Sequence, residues 1–319
     1  MKCLVTAIGS MSAEAVISRL ARLPGVEVVG CNLHPASWTP ASRLVRCFYQ
    51  VPSAKDAAAY VARLLLICER ERVSHLIALT DPEVDVLSAH REAFAVAGIV
   101  LCIPPEPAVQ VARDKLSIYR RFADHPRIRP IATADLHEAE RRAFSWPLIA
   151  KPRRGRSSEG QVHIPDAGAL QFWGARLVGQ DYVVQPCHVG DVMVVDVVRH
   201  PEGKAAAAMT RQELLRTANG AGMTVRMQPG HPCDALAQEV ADTLDMRGCV
   251  NVEFLIVNGV PLLMDINPRF SAGVAFSIMA GYDMVANHLR CFVGENLAPC
   301  LAPPDAVYTR GFLEYSLQN

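Results

Sequence analysis

Apolar positions over the first hundred residues fall into two alternating kinds of run. Residues 2–8 form a short continuous apolar segment ending at Gly9-Ser10, and from residue 13 to about 23 the apolar positions take helical spacing, with Ser12 placed to cap them. Pro24-Gly25 interrupts, and residues 26–31 are β-branched and strand-like. Helical spacing returns over 57–72, a strand over 74–79 ends at Thr80-Asp81-Pro82, and a helix over 83–97 leads to a strand over 99–103. Short continuous strands separated by helices predict an open parallel α/β unit over residues 1–105. In such sheets ligand contacts lie at strand C-termini, which nominates Thr80, Asp81 and Glu83. The first strand is followed by Gly9-Ser10-Met11-Ser12 rather than a three-glycine turn, so a dehydrogenase-type dinucleotide site is not expected.

The pattern changes at Pro104-Pro105-Glu106-Pro107. A helix carrying Asp114 and Lys115 ends before Pro126, and strand-like runs follow over 148–152, 182–189 and 194–198, the last containing Asp196. A second boundary falls near Gly179-Gln180-Asp181, giving predicted units of 106–182 and 183–319. Further on, two apolar runs flank the turn Asn258-Gly259 and predict a hairpin. That hairpin carries Glu253 on its first strand and Asp265 and Asn267 on its second. Two carboxylates and an amide oxygen converging on one point suit Mg²⁺. Arg269, two residues beyond Asn267, shares its strand face and is expected to reach a phosphate held by that metal.

Upstream, Lys151 closes a strand and a loop of small residues, Gly155-Arg156-Ser157-Ser158-Glu159-Gly160, separates it from the next. Small residues let backbone N–H groups approach phosphate oxygens, and lysine adds a compact positive charge. The loop is not a P-loop, because neither its glycine-lysine consensus nor a following helix is present. Arg211, Arg216 and Arg226 surround a loop at Asn219-Gly220-Ala221-Gly222 and offer two-pronged donors for carboxylate or phosphate.

The hairpin with Asp265-Ile266-Asn267-Pro268-Arg269 resembles the metal-binding signature of ATP-grasp enzymes, particularly the branch of carbamoyl phosphate synthetase large-subunit domains. Strand lysine, glycine-containing loop, hinge and metal strands follow in that family's order. The resemblance implies an α/β protein with a Rossmann-like N-terminal domain over 1–105, a small lobe with a phosphate lid over 106–182 and a large lobe with the Mg²⁺ site over 183–319. It implies that Lys115, Lys151, Gly155, Arg156, Ser157, Ser158 and Gly160 hold the phosphates of ATP. Gln185, Pro186, Cys187, Val189 and Asp191 would form the nucleotide hinge, with the ribose on Asp191 or Gln185. Arg156 and Ser157 depart from the small residues common in the family, and its ribose acid more often stands where Val192 is. Glu253, Asp265 and Asn267 would ligate Mg²⁺, or Mn²⁺ in its place. Arg269 would act on the transferring phosphoryl, and Arg211 and Arg216 on the substrate carboxylate and acyl phosphate. The implied reaction activates a carboxylate as an acyl phosphate for attack by an amine, releasing ADP. The alternatives are phosphorylation of bicarbonate or carbamate, and an ATP-binding module without turnover.

Composition narrows the partners. Lysine plus arginine and aspartate plus glutamate both total 32, so no net field draws the chain to nucleic acid or an anionic membrane. No apolar run approaches the roughly 20 residues that span a bilayer, and residues 3–8 are too short for a secretory core. The ten cysteines are scattered without C-x-x-C spacing, which gives no support to a zinc site and points to buried thiols in a reducing cytoplasm. Composition thus leaves small molecules as the partners, and the family resemblance implies that they are a carboxylate and an amine and that the protein is a homodimer.

Overall fold

The computed structural model describes residues 1–141, 144–155, 159–202 and 206–316. The N-terminal unit runs β1 (Lys2–Val5), α1 (Ala13–Leu20), β2 (Glu27–Asn32), β3 (Cys47–Gln50), α2 (Ala57–Glu71), β4 (His75–Ile77), α3 (Asp81–Ala89), α4 (Arg91–Val96) and β5 (Val100–Leu101). Its strands pair in parallel in the order β3-β2-β1-β4-β5. The long apolar runs of β1 and β2 suit strands covered on both faces. Asp56 starts α2 by accepting from the Ala59 N–H, and Arg72 ends it in the left-handed region at φ 54°. The single helix expected over 83–97 is two helices. It breaks at His90, whose Nδ1 lies 2.8 Å from the Val86 carbonyl oxygen, and it starts earlier, at Asp81, because Pro82 is compatible with a first helical turn. Ser12 stands at the start of α1 but makes no capping bond, its Oγ lying 3.3 Å from that of Ser10.

The chain continues through α5 (Glu106–Ala112), α6 (Lys115–Phe122), β6 (Arg129–Pro130), β7 (Ala134–Asp135), β8 (Leu148–Pro152), β9 (Val162–Ile164), α7 (Ala167–Arg176) and β10 (Tyr182–Pro186). Strands β7-β10-β8-β9 form an antiparallel sheet. The third sheet is built from β11 (Asp191–Arg199), β12 (Ala206–Arg216), β13 (Gly222–Met227), β14 (Gly248–Val257) and β15 (Val260–Asn267), with α8 (Pro232–Thr243), α9 (Val274–Met279), α10 (Met284–Val293) and β16 (Val307–Thr309). Its order is β16-β13-β12-β11-β14-β15-β6, antiparallel except for the parallel β15–β6 edge.

Two features differ from the expected units. Residues 106–130, placed by sequence in the small lobe, belong with the larger sheet: β6 extends its edge, and Ala108, Ala112, Ile118 and Phe122 share a core with Val195, Val252, Phe254 and Ile266. Strand β10 crosses the expected boundary at 182 and stays with the small sheet. A further apolar core joins the N-terminal unit to the large one, with Val5, Val16, Ile17 and Leu20 in the same cluster as Phe270, Val274, Met284 and Leu289. This shared core fixes the ends of β1 and β4 against the end of β15. Among the described residues no helix is long and apolar enough to cross a membrane.

Candidate active site

A cavity of about 570 Å³ lies where the three sheets meet, within the roughly 300–1,000 Å³ typical of small-molecule sites. Its floor is the β14–β15 hairpin. The turn Asn258-Gly259 supplies two successive positive-φ residues, φ 50° and 77°, so the hairpin closes tightly and its register is set. Glu253 pairs directly with Asp265, and Asn251 with Asn267. Phe254 pairs with Leu263, leaving Met264 as an extra residue, and this bulge lets the consecutive residues Met264 and Asp265 both line the cavity.

Glu253, partly buried, thus faces another acid. Burial, then the neighbouring Asp265 carboxylate, push its carboxyl above the usual range, opposed by Arg216 and Arg269. Arg216 Nη2 stands 3.4 Å from Glu253 Oε2, and Asn267 Nδ2 donates to Glu253 Oε1 at 3.2 Å. Asn267 also donates to Asn251 Oδ1 at 2.9 Å, while its own Oδ1 accepts from Arg269 at 3.3 Å. A divalent cation fits this donor set: two crowded carboxylates, one of them reluctant to ionise, gain most from a shared positive charge. Asn267 adds its oxygen only if its amide turns over, and among the described residues no group of three or more His, Cys, Asp or Glu side chains could hold a metal.

Two lysines face those acids. Lys115 opens α6, whose N-cap Asp114 accepts from the Leu116 and Ser117 N–H groups at 3.0 Å each. Burial opposes ionisation of Asp114, but Arg153, bound two-pronged at 2.8 and 2.6 Å, prevails and holds its carboxyl low. Lys115 Nζ lies 3.9 Å from Asp265 Oδ2 and donates to the Gly155 carbonyl at 3.3 Å. Lys151 is 8% exposed; burial and then the Lys115 charge push its ammonium down to about 8.

The hinge side is only partly as expected. Gln185, Pro186 and Cys187 line the cavity, and Gln185 is fixed by donating to Thr133 Oγ1 at 2.8 Å. The Cys187 N–H is already committed to the Pro147 carbonyl at 2.8 Å. Val189 is 90% exposed, and neither it nor Asp191, at the exposed start of β11, lines the cavity. Gly155 lines the cavity, whereas Gly160 turns the chain at φ 70° with its carbonyl accepting from Tyr182 Oη at 3.0 Å. Arg156, Ser157 and Ser158 lie outside the described residues.

The arginines divide into separate roles. Arg211 and Arg216 lie on β12 and Arg226 on β13, not in a loop. Arg211 is 1% exposed and is spent inside the protein: Nη1 donates to Asp196 Oδ2 at 2.7 Å, Nε to Glu213 Oε1 at 3.3 Å and Nη2 to Ser271 Oγ at 3.0 Å. Its expected place on a substrate carboxylate is therefore taken by protein carboxylates. Arg216 borders the cavity and Arg226 is exposed. Arg269 donates Nε and Nη2 to Asp81 at 2.8 and 2.7 Å, so its two-pronged edge bridges to the N-terminal unit and is not free for a phosphate. Glu213 and Thr133 went unnoticed in the sequence. Glu213 had a usable signal, since it lies two residues from Arg211 on one strand face; Thr133 had none.

The three sheets thus bring paired acids and two lysines around one cavity. Residues 179–310 match the family model "ATP-grasp in the biosynthetic pathway with Ter operon", and residues 3–102 match "PylC-like, N-terminal domain". The chain is 24% identical over 323 residues to formate-dependent phosphoribosylglycinamide formyltransferase of Parasynechococcus marenigrum (strain WH8102), covering 96% of this chain and 79% of that one. It is 22% identical over 294 residues to the arginine-specific carbamoyl phosphate synthase large chain of Bacillus subtilis (strain 168), covering 86% of this chain and 27% of that one. The biotin carboxylase domain of Hydrogenobacter thermophilus 2-oxoglutarate carboxylase, solved with MgADP, ADP and bicarbonate, superposes with a TM-score of 0.77 at 14% identity, over 92% of this chain and 70% of that one. The C-terminal part of the chain thus matches an ATP-grasp family model, and the N-terminal part a PylC-like one.

Proposed function

We propose that this protein is an ATP-dependent, ADP-forming carboxylate–amine ligase. One observation carries the proposal: Glu253 and Asp265 face each other across paired strands at the floor of a cavity whose opposite side presents Lys115 and Lys151. Acids below and cations above are the charge distribution that a metal-bound polyphosphate needs. Glu253 and Asp265 would hold Mg²⁺, which supplies charge neutralisation at the transferring phosphoryl when bound.

The chain's own residues do the rest. Lys115 and Lys151 neutralise phosphate oxygens from above, and Gln185, Pro186 and Cys187 bound the far end of the cavity where the nucleoside would lie. Arg216, partly exposed and beside Glu253, is the cation on the substrate side and would orient the carboxylate for attack on the γ-phosphoryl. The substrate carboxylate oxygen forms the new P–O bond as the bond to ADP breaks; the amine then displaces phosphate from the acyl carbon and loses a proton. No protein nucleophile is needed.

The test is ADP release from ATP and Mg²⁺ with panels of carboxylates and amines. Glu253→Gln and Asp265→Asn should each lower it at least about 100-fold, the scale of lost transition-state charge stabilisation, with unchanged circular dichroism. Normal Mg²⁺-dependent ADP release in both variants refutes the assignment. Turnover that responds to bicarbonate alone would instead favour bicarbonate phosphorylation, and tight ATP binding without turnover a binding module.

A further inference from the structure

Arg269 sits beside the metal-site residue Asn267, yet the carboxylate it binds comes from the other end of the chain. An arginine has five N–H donors. Here Nε and Nη2 grip the two oxygens of Asp81 at 2.8 and 2.7 Å, Nη2 also donates to Asn267 Oδ1 at 3.3 Å, and Nη1 donates to the Phe270 carbonyl at 3.0 Å. A single Nη1 hydrogen remains uncommitted among the described residues. The two-pronged edge that recognises carboxylate or phosphate is already used.

Asp81 is itself held firmly. It is 1% exposed and opens α3, where the helix N-terminus favours a negative charge. Arg113 Nη1 stands 3.8 Å away while that arginine's Nε and Nη2 bind Asp85 at 2.9 and 3.1 Å. The anchoring carboxylate therefore comes from the first residue of α3, just past β4 of the N-terminal sheet, and the guanidinium it orients follows β15 in the large sheet. Both residues border the cavity.

We propose that Asp81 is a positioning residue for Arg269: it occupies the guanidinium fork so that Arg269 meets the terminal phosphoryl through Nη1 alone, in a fixed orientation. The N-terminal unit thereby completes the phosphoryl-transfer site. This rests on the ligase assignment for the cavity.

The test compares the affinities of Mg·ADP and of Mg²⁺ with the β,γ-imido analogue of ATP, measured calorimetrically for wild type, Asp81→Asn, Arg269→Lys and the double variant. Asp81→Asn should keep Mg·ADP affinity within about twofold and lose about tenfold for the triphosphate analogue, as expected when one charge-assisted contact is misaimed. Arg269→Lys should do the same, and the double variant should lose no more than Arg269→Lys alone. Asp81→Glu, which keeps the charge, should recover part of the loss and guards against a folding defect in Asp81→Asn. Equal losses for both nucleotides, multiplying losses in the double variant, or an unchanged preference for the triphosphate overturn the proposal. A wild-type protein that binds neither nucleotide removes the ligase assignment itself and this proposal with it.

Discussion

Lys151 offers a quantitative test of the site's electrostatics. Burial first and Lys115 second lower its ammonium from 10.5 to about 8, against the opposing pull of Asp265 and Glu253. The sign follows from proton counting. Between about 8 and 10.5 the unfolded chain holds a proton that the folded protein has lost, so stability rises with pH across that window, and the cost of keeping the charge is full below it. At about 1.36 kcal/mol per unit, the cost is about 3 kcal/mol near pH 7. Lys151→Met preserves most of the volume and removes the charge, so it should be more stable than wild type by about 2–3 kcal/mol at pH 7, as when a buried charge gives way to a packed apolar group. Urea unfolding from pH 6.5 to 10 should show that advantage shrinking as pH rises. Wild-type affinity for Mg·ATP should weaken above about pH 8 as the cation is lost, while the variant binds weakly with little pH dependence. An advantage that stays constant with pH, or one that grows, refutes the reasoning.

Three further outcomes follow from neighbouring residues. Arg211→Met leaves the buried Asp196 and Glu213 carboxylates uncompensated and should cost about 3–5 kcal/mol in urea unfolding, whereas Arg216→Met, on a partly exposed pair, should stay within about 1 kcal/mol while suppressing ADP release. Gly222→Ala would place a Cβ 2.1 Å from Glu213 Oε2; since Arg211 pins that carboxylate, the variant should lose about 1–3 kcal/mol, measured as a lowered melting temperature.

Much of the scaffold is legible in the sequence because its signals are local. Continuous apolar runs mark β1, β2 and β4, and the Asn258-Gly259 turn sets the register that brings Glu253 opposite Asp265. The motifs around Lys115 and Lys151 are also local, and both lysines reach the cavity. What escapes is long-range charge pairing. Arg211 looks like a free substrate-binding cation until Asp196 arrives from the adjacent strand, and the two-pronged edge of Arg269 looks open to phosphate until Asp81 arrives from 188 residues away. Spacing cannot reveal such partners, because they are set by which sheets pack together. The small-lobe boundary fails for the same reason: nothing local in residues 106–130 says which sheet their apolar faces cover, and they cover the larger one.

Charges of both signs oppose one another around the cavity, and on the proposed function a polyphosphate would exploit that opposition. Lys115 leans toward Asp265 at 3.9 Å, too far for a strong direct bond, and Glu253 sits 3.4 Å from Arg216. Each cation is partly neutralised by an acid across the cavity, yet none of these contacts is close enough to hold the site shut. The like-charged pairs, Lys115 with Lys151 and Glu253 with Asp265, remain unfavourable: after burial, the like-charged neighbour is the next cause of the lowered Lys151 ammonium and of the raised Glu253 carboxyl. On the proposed function, a polyphosphate with a divalent cation would relieve both at once, with Lys115 and Lys151 answering the anionic oxygens and Glu253 and Asp265 holding the metal. Binding energy is thus available from removing repulsion already built into the fold, without requiring either lobe to break a strong internal bond.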